Sequence, residues 1–180
     1  MTAILKVDTI QDTSGNNIIN ENAGTITIGK SGDTVNLASG ATAAGFGKVL
    51  QVVTATIQTQ QESTSASFVD ITGLSVSITP SSTSSKIFVM CTTTGGGSDI
   101  NAGSRYTLVR NSTNLATTDF AQIYGSNNIS GVIALSILDS PSTTSATTYK
   151  AQMRRSSASG SVYSGLNNSF AHITVFEIGA

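Results

Sequence analysis

Charge is scarce in this chain. Nine Lys and Arg and ten Asp and Glu among 180 residues make 11 % of the side chains charged and leave a net charge of −1, where an ordinary soluble domain carries roughly 25 %. So small and even a balance provides no electrostatic footprint for nucleic acid or an anionic membrane. No run approaches the ~18 apolar residues a bilayer-spanning helix needs, so membrane insertion is not expected either. Cysteine occurs once, at Cys91, which excludes an intrachain disulfide framework. It follows Ile87-Phe88-Val89-Met90 and reads as a buried, inert thiol. Proline occurs only at Pro80 and Pro141, and tryptophan is absent. One histidine, His172, and one cysteine cannot build a nitrogen- and sulfur-ligated zinc centre within one chain. Residues 1–8 lack a charged segment followed by a long apolar core, so no secretory signal is read there.

Serine, threonine, asparagine and glycine fill the space that charge leaves. Disorder does not follow, because aliphatic and β-branched residues recur in regular alternation. A mucin-like stalk would carry more proline and lack that alternation. The composition therefore predicts an all-β protein. Four glycines fall at near-even spacing, Gly15, Gly24, Gly32 and Gly40, in steps of 9, 8 and 8 residues. Between them lie strand-length stretches, Thr25-Ile26-Thr27-Ile28 and Thr34-Val35-Asn36-Leu37. Strands this short, each with one apolar face, are expected to need copies of themselves, as in an intertwined oligomeric stalk. Residues 1–20, with Ile4, Leu5, Val7 and Ile10, read as an arm that docks onto something else, being too short for a core of its own. Residues 21–47 read as a glycine-punctuated β neck ending in a small-residue linker.

From Lys48 the pattern changes. Strand-like runs cover 49–57, 68–71, 74–78, 86–93, 106–110, 129–138, 149–155, 161–163 and 172–178, with turn signals at sandwich-like spacing. Gly95-Gly96-Gly97 reads as a break after the fourth run, Asn111–Asn114 as a hairpin turn, and 117–124 as room for a helical turn at most. Residues 48–180 are thus expected to form a jelly-roll head. In the last run Ile173 and Val175 lie on one face and Phe176 and Ile178 on the other. A strand apolar on both faces is covered twice, by the core and by a neighbouring subunit. Arm and strand both ask for an oligomer, and a trimer closes short strands without exposed edges.

One segment matches a catalytic pattern. Gly24 to Ser31 satisfies G-x-x-x-x-G-K-[ST], the phosphate-binding loop. That loop works between a strand and a helix, whose N-terminus cradles the phosphates. Here the variable residues are themselves a strand, and Gly-Asp-Thr-Val-Asn-Leu follows, so the match reads as a glycine turn and no cofactor is expected. G-x-S-x-G is absent, and His172 reads as structural. The sequons at Asn111, Asn128 and Asn167 read as polar loops. For recognition, loops 95–104 and 119–130 are the candidates, with Asp99, Asn101, Phe120, Tyr124, Asn127 and Asn128 as contact residues. Aromatic faces beside amides and hydroxyls suit neutral sugars, although Phe120 and Tyr124 also suit a cap on the core.

Six stretches carry a family resemblance. Ile4 to Asp12, Gly24 to Gly29 and Gly32 to Leu37 resemble the N-terminal arm of fibre and spike proteins of marine tailed bacteriophages. Ile78-Thr79-Pro80, Ser84 to Val89 and the terminal Thr174 to Ala180 resemble the distal head of the same group. The resemblance implies a homotrimeric virion protein whose arm docks on tail or capsid and whose head faces the host surface, with a surface glycan as the candidate contact. A capsid decoration or cement protein is the first alternative and a glycan-cleaving spike the second. The chain departs from long fibres in having almost no shaft, and no catalytic residue carries over.

Overall fold

A computed structural model describes residues 9–15, 17–22, 25–29, 32–34, 49–98, 103–116, 121–123, 129–156 and 159–179. The chain divides into two compact units, Met1–Phe46 and Gly47–Ala180.

In the first unit, β1 (Thr9–Gln11), β2 (Asn17–Asn22) and β3 (Thr25–Ile28) form an antiparallel sheet in that order. Asp12 builds the first turn: its side chain accepts from Ser14 N–H at 2.9 Å and its carbonyl from Gly15 N–H at 3.1 Å. Strand β3 occupies the four variable positions of the phosphate-loop pattern, in agreement with the turn reading; Lys30 and Ser31 lie outside the described residues. Pairing of Ile10 with Ile19 and of Ile19 with Ile28 sets three isoleucines in one row. All three are exposed. The short strands thus find backbone partners within the chain while their apolar row stays uncovered, and so small a sheet is marginal alone. Ile4, Leu5 and Val7 lie outside the described residues.

The second unit is a β-sandwich. Its strands are β4 (Val49–Ile57), β5 (Gln61–Ser63), β6 (Val69–Ile78), β7 (Lys86–Gly97), β8 (Ser104–Arg110), β9 (Thr113–Asn114), β10 (Ala121–Ile123), β11 (Ser130–Asp139), β12 (Thr147–Arg155), β13 (Val162–Ser164) and β14 (Ala171–Ile178). One sheet runs β4-β14-β7-β11, with β13 and β5 continuing the β14 edge beyond its end. The other runs β10-β8-β12-β6, with β9 folding back on β8 as the expected hairpin. Every pairing is antiparallel. Counting the eight long-range strands β4, β6, β7, β8, β10, β11, β12 and β14 in order, the sheets read first-eighth-third-sixth and second-seventh-fourth-fifth. That is jelly-roll connectivity.

Alternation fills the space between the sheets. Leu74, Val76 and Ile78, then Ile87, Val89 and Cys91, then Tyr149, Ala151 and Met153, then Ile173 and Val175 are buried at every second position. Burial pushes the Cys91 thiol up to about 12, as an inert thiol requires. Polar pins join the sheets at both ends. Arg110 of β8 donates to both carboxylate oxygens of Asp139 on β11 at 2.8 Å, and Tyr149 of β12 donates to the same carboxylate at 2.6 Å. At the opposite end the Tyr106 hydroxyl of β8 donates to the Tyr163 carbonyl at 2.5 Å and accepts from Gly96 N–H at 3.1 Å.

Three expectations need correction. Gly95-Gly96-Gly97 does not break the strand: β7 continues through it. A Cβ on Gly95 would lie 2.3 Å from the Tyr106 oxygen, so glycine makes room for the polar pin. The runs 68–71 and 74–78 are one strand, bent by a bulge where Gly73 takes φ +85 and leaves space for Ile57. Residues 121–123 are strand and not helical turn. The adjacent pair Arg154-Arg155 anchors a loop. Arg154 lies 5.1 Å from the centre of the Phe68 ring, and Arg155 bonds the Thr64 carbonyl, so both hold the segment between β5 and β6.

Gly95→Ala is expected to lower unfolding free energy by about 2–3 kcal/mol, because overpacking meets a buried hydrogen-bonded ring. Gly131→Ala, whose Cβ would meet only Ile123 at an ordinary 3.6 Å, is expected to change it little. Urea unfolding of the two variants checks the contrast.

Candidate assembly interface

The inward positions of the sheet β4-β14-β7-β11 are spoken for by the core. Its outward positions follow from alternation and register. Val52 pairs with Phe176, Phe176 with Phe88, and Phe88 with Leu138. Four strands therefore place four apolar side chains in one continuous row on the outer face. Val52 is 53 % exposed and Leu138 57 %. The half-buried Phe88 and Phe176 rings stand between them, 6.2 Å apart and tilted by 37°. Exposed Val49 opposite Ile178 extends the patch on one side of the row, and exposed Met90 opposite Thr174 on the other. Further along come Thr54 and Thr174, bonded hydroxyl to hydroxyl at 2.9 Å, then the outward row Thr56, His172, Thr92 and Ala134. His172 thus sits on a sheet face beside threonines.

The other sheet presents the opposite chemistry. Lys150 and Gln152 of β12 bond Asp70 of β6 at 2.8 and 2.6 Å, and Arg154 pairs across to Arg105 on the same outer face. On the sheet β4-β14-β7-β11 the apolar row is bordered by Lys86, which pairs with Ile178 and donates to Ser140 Oγ at 2.7 Å, and by the threonines and His172. Contiguous apolar surface of this kind marks an interaction site.

The row is held from beneath. Glu177, between Phe176 and Ile178, points inward and is fully buried. Its carboxylate accepts from Gln51 Nε2 at 2.5 Å and from the Ser81 amide and hydroxyl at 2.7 Å each. Gln51 also donates to the Thr79 carbonyl at 2.8 Å. Burial alone would raise the carboxyl. The hydrogen bonds from Ser81 and Gln51, with a pull from the nearby Ser85 hydroxyl, outweigh it and hold the group at about 2. The Ser85 oxygen is itself buried without a partner in bonding geometry. This network fixes the ends of β4, β14 and the Pro80 turn, and with them the level of the apolar row.

The recognition residues expected from sequence, Asp99, Asn101, Phe120, Tyr124, Asn127 and Asn128, lie outside the described residues. Of the docking set only Ile10 is described, on β1 and exposed. Sequence reasoning found Phe176 and Ile178 on the outer face but not Val52, Phe88, Met90 or Leu138, which only register brings beside them. Among the described residues no group of three or more His, Cys, Asp or Glu is placed to hold a metal ion. No helix is long and apolar enough to cross a membrane.

No protein-family model and no curated protein matches the chain. Among solved structures it is similar to a chain of infectious bursal disease virus, Gx strain, at 16 % identity and a TM-score of 0.45, over 73 % of this chain and 33 % of that one. A chain of the Gt strain gives 16 % identity and a TM-score of 0.45 over 82 % and 42 %. One from T=1 particles derived from the same virus gives 15 % and 0.41 over 82 % and 41 %. The chain spans about a third to two fifths of these neighbours' length. The fold assignment rests on its own strand pairing.

The Glu177 network predicts an acid dependence. Because the folded group ionises near 2 and an ordinary glutamate near 4.5, the ionised form favours the folded state. Its stabilisation is complete above pH ~5 and is lost as the pH falls toward 2. The difference corresponds to up to about 3 kcal/mol. Unfolding free energy measured across that range is expected to fall with acid in the natural chain and to fall less in Glu177→Gln. An unchanged slope in the variant overturns the assignment.

Proposed function

We propose that this chain is a structural protein of a virion, a short fibre or spike that assembles as a homotrimer and serves attachment to the host surface. In this reading residues 1–20 dock on tail or capsid, 21–47 form the neck, and 48–180 form the head. The observation that carries it is the four-strand apolar row Val52–Phe176–Phe88–Leu138. A monomer would leave that row in water, whereas burying it against copies of itself gains roughly 25 cal/mol for each Å² removed. A second copy is the natural cover, because the four-residue row carries no charge and apolar surface packs on its like, whereas the outer face of the opposite sheet carries Asp70, Lys150, Arg105 and Arg154. The uncovered isoleucine row of the first unit supports the same need for partners. The sequence resemblance of arm and head to phage fibre and spike proteins supplies the virion setting. Three identical heads turn weak contacts into avidity.

The decoration-protein alternative uses the same row differently, packing it on the shell, and predicts a monomer in solution. Sedimentation of the purified chain at micromolar concentration is expected to give a trimer, and the double variant Val52→Lys, Leu138→Lys a folded monomer with unchanged circular dichroism. A monomeric natural chain overturns the trimer. Antibody labelling of purified particles is expected to find the protein there, and deletion of residues 1–20 to leave a soluble trimer that no longer incorporates. Unlabelled particles overturn the virion reading.

A further inference from the structure

Roughly 26 Å along β7 from Phe88, eight residues at ~3.3 Å each, the same sheet ends in a different kind of surface. A half-open cavity of about 260 Å³ is lined by Gln60, Gly97, Ile129, Tyr163, Leu166 and Asn167. None of the six is charged. Gly97 offers only backbone, and Ile129 and Leu166 are apolar. Tyr163 stands opposite Gly96, where a Cβ would lie 2.6 Å from the Ile129 carbonyl, so the wall is bare beside the ring.

The turn that carries Asn167 is built against local preference. Gly165, Asn167 and Asn168 have φ of 66°, 56° and 55°, the left-handed region that only glycine enters freely. Non-glycine residues held there cost about 1–3 kcal/mol each and persist only where their surroundings impose them. Gln60 imposes it: its Oε1 accepts from Asn167 N–H at 2.9 Å, and its own N–H donates to Asn168 Oδ1 at 3.1 Å. Gly165 N–H donates to Thr93 Oγ1 at 3.0 Å, and Ser169 and Thr94 bond through their hydroxyls. The effect is to fix Asn167 at the cavity rim. Among the described residues its side-chain amide, the Gln60 Nε2 and the Tyr163 hydroxyl have no hydrogen-bond partner.

We infer that this cavity binds one neutral monosaccharide unit, the terminal residue of a glycan. Amide and phenol groups supply donors and acceptors for sugar hydroxyls, and Tyr163, Ile129 and Leu166 supply surface for the C–H face of the ring. Among the described lining residues there is no basic group, and the acidic Glu62 pairs with Tyr163 on the next strand, which disfavours sialic or sulfated sugars, whose anionic groups would lose water without gaining a partner. The volume lies just below the usual range for ligand pockets, ~300–1,000 Å³, which suits a single ring. The inference rests on the attachment reading for its biological setting, but the site stands on its own geometry.

Saturation-transfer NMR of the full chain with methyl glycosides of glucose, galactose, mannose and N-acetylglucosamine at about 10 mM tests it, with sialic acid as the anionic comparison. At least one neutral glycoside is expected to bind. Asn167→Gly keeps the left-handed backbone, removes the amide, and is expected to weaken binding about tenfold, the cost of a lost hydrogen bond. Tyr163→Phe is expected to weaken it less. No transfer from any neutral glycoside, a preference for sialic acid, or binding untouched by both variants overturns the proposal. Labelled particles without sugar binding overturn the cavity assignment alone; sugar binding with unlabelled particles overturns the virion reading alone.

Discussion

A β-strand has two faces, and β14 is apolar on both. Ile173 and Val175 fill the sandwich while Phe176 and Ile178 stand outside it. Because side chains alternate with period two, no rearrangement of register hides both sets in one sandwich: a slip of one residue exchanges them. The surplus passes to the neighbours. Val52 on β4, Phe88 on β7 and Leu138 on β11 meet the same row from either side. The fold therefore fills its interior and leaves an apolar row on the exterior of this sheet. Asp70, Lys150, Arg105 and Arg154 stand on the outer face of the other sheet, while Lys86 borders the apolar row on this one.

The two polar pins explain how the sandwich keeps its faces distinct. At one end Arg110 and Tyr149 converge on Asp139; at the other Tyr106 reaches across to Tyr163 and Gly96. Each pin spends buried polar groups that are costly when unpaired, and each joins residues from different sheets. Together they fix the sheets against sliding, so that the rows on the outer faces keep their register. Glu177 does the same locally for β14, tying it to Gln51 and the Ser81 turn directly beneath the apolar row.

Strand existence and the doubly apolar last strand were legible in the sequence, because alternation is a local property. The all-β class and the jelly-roll head follow from the number and spacing of such runs. The row across four strands was not legible, since which residue faces which is settled by pairing between segments up to about 120 residues apart, as for Val52 and Phe176. The same limit explains the glycines. Gly95 to Gly97 look like a break because glycine weakens a strand, yet here the missing side chain is occupied by a ring from β8. Gln60 and Asn167 escaped notice for a related reason. The local signal existed, since paired asparagines tolerate left-handed backbone, but Asn167-Asn168-Ser169 also spells a sequon, and only the clamp from Gln60 shows what the turn holds.

The two proposals constrain one another through affinity. A half-open cavity with a handful of neutral donors cannot hold a sugar tightly. Exposed polar contacts exchange water for ligand at a small net gain, about 0.5–1.5 kcal/mol per hydrogen bond, against several kcal/mol of lost rotational and translational freedom. A single head with such a site would bind at millimolar strength, too weakly to retain a particle. Copies joined through the apolar row, as proposed, would present several cavities at once, each roughly 26 Å along its strand from the joining surface. Linked sites raise effective affinity by 10²–10⁴ when the geometry allows simultaneous engagement. The apolar row and the neutral cavity then have complementary roles, one supplying permanence among copies and the other reversible contact with a repetitive surface. A weak site is the useful kind on such a platform, because contacts that release and rebind let a particle sample a surface before it commits.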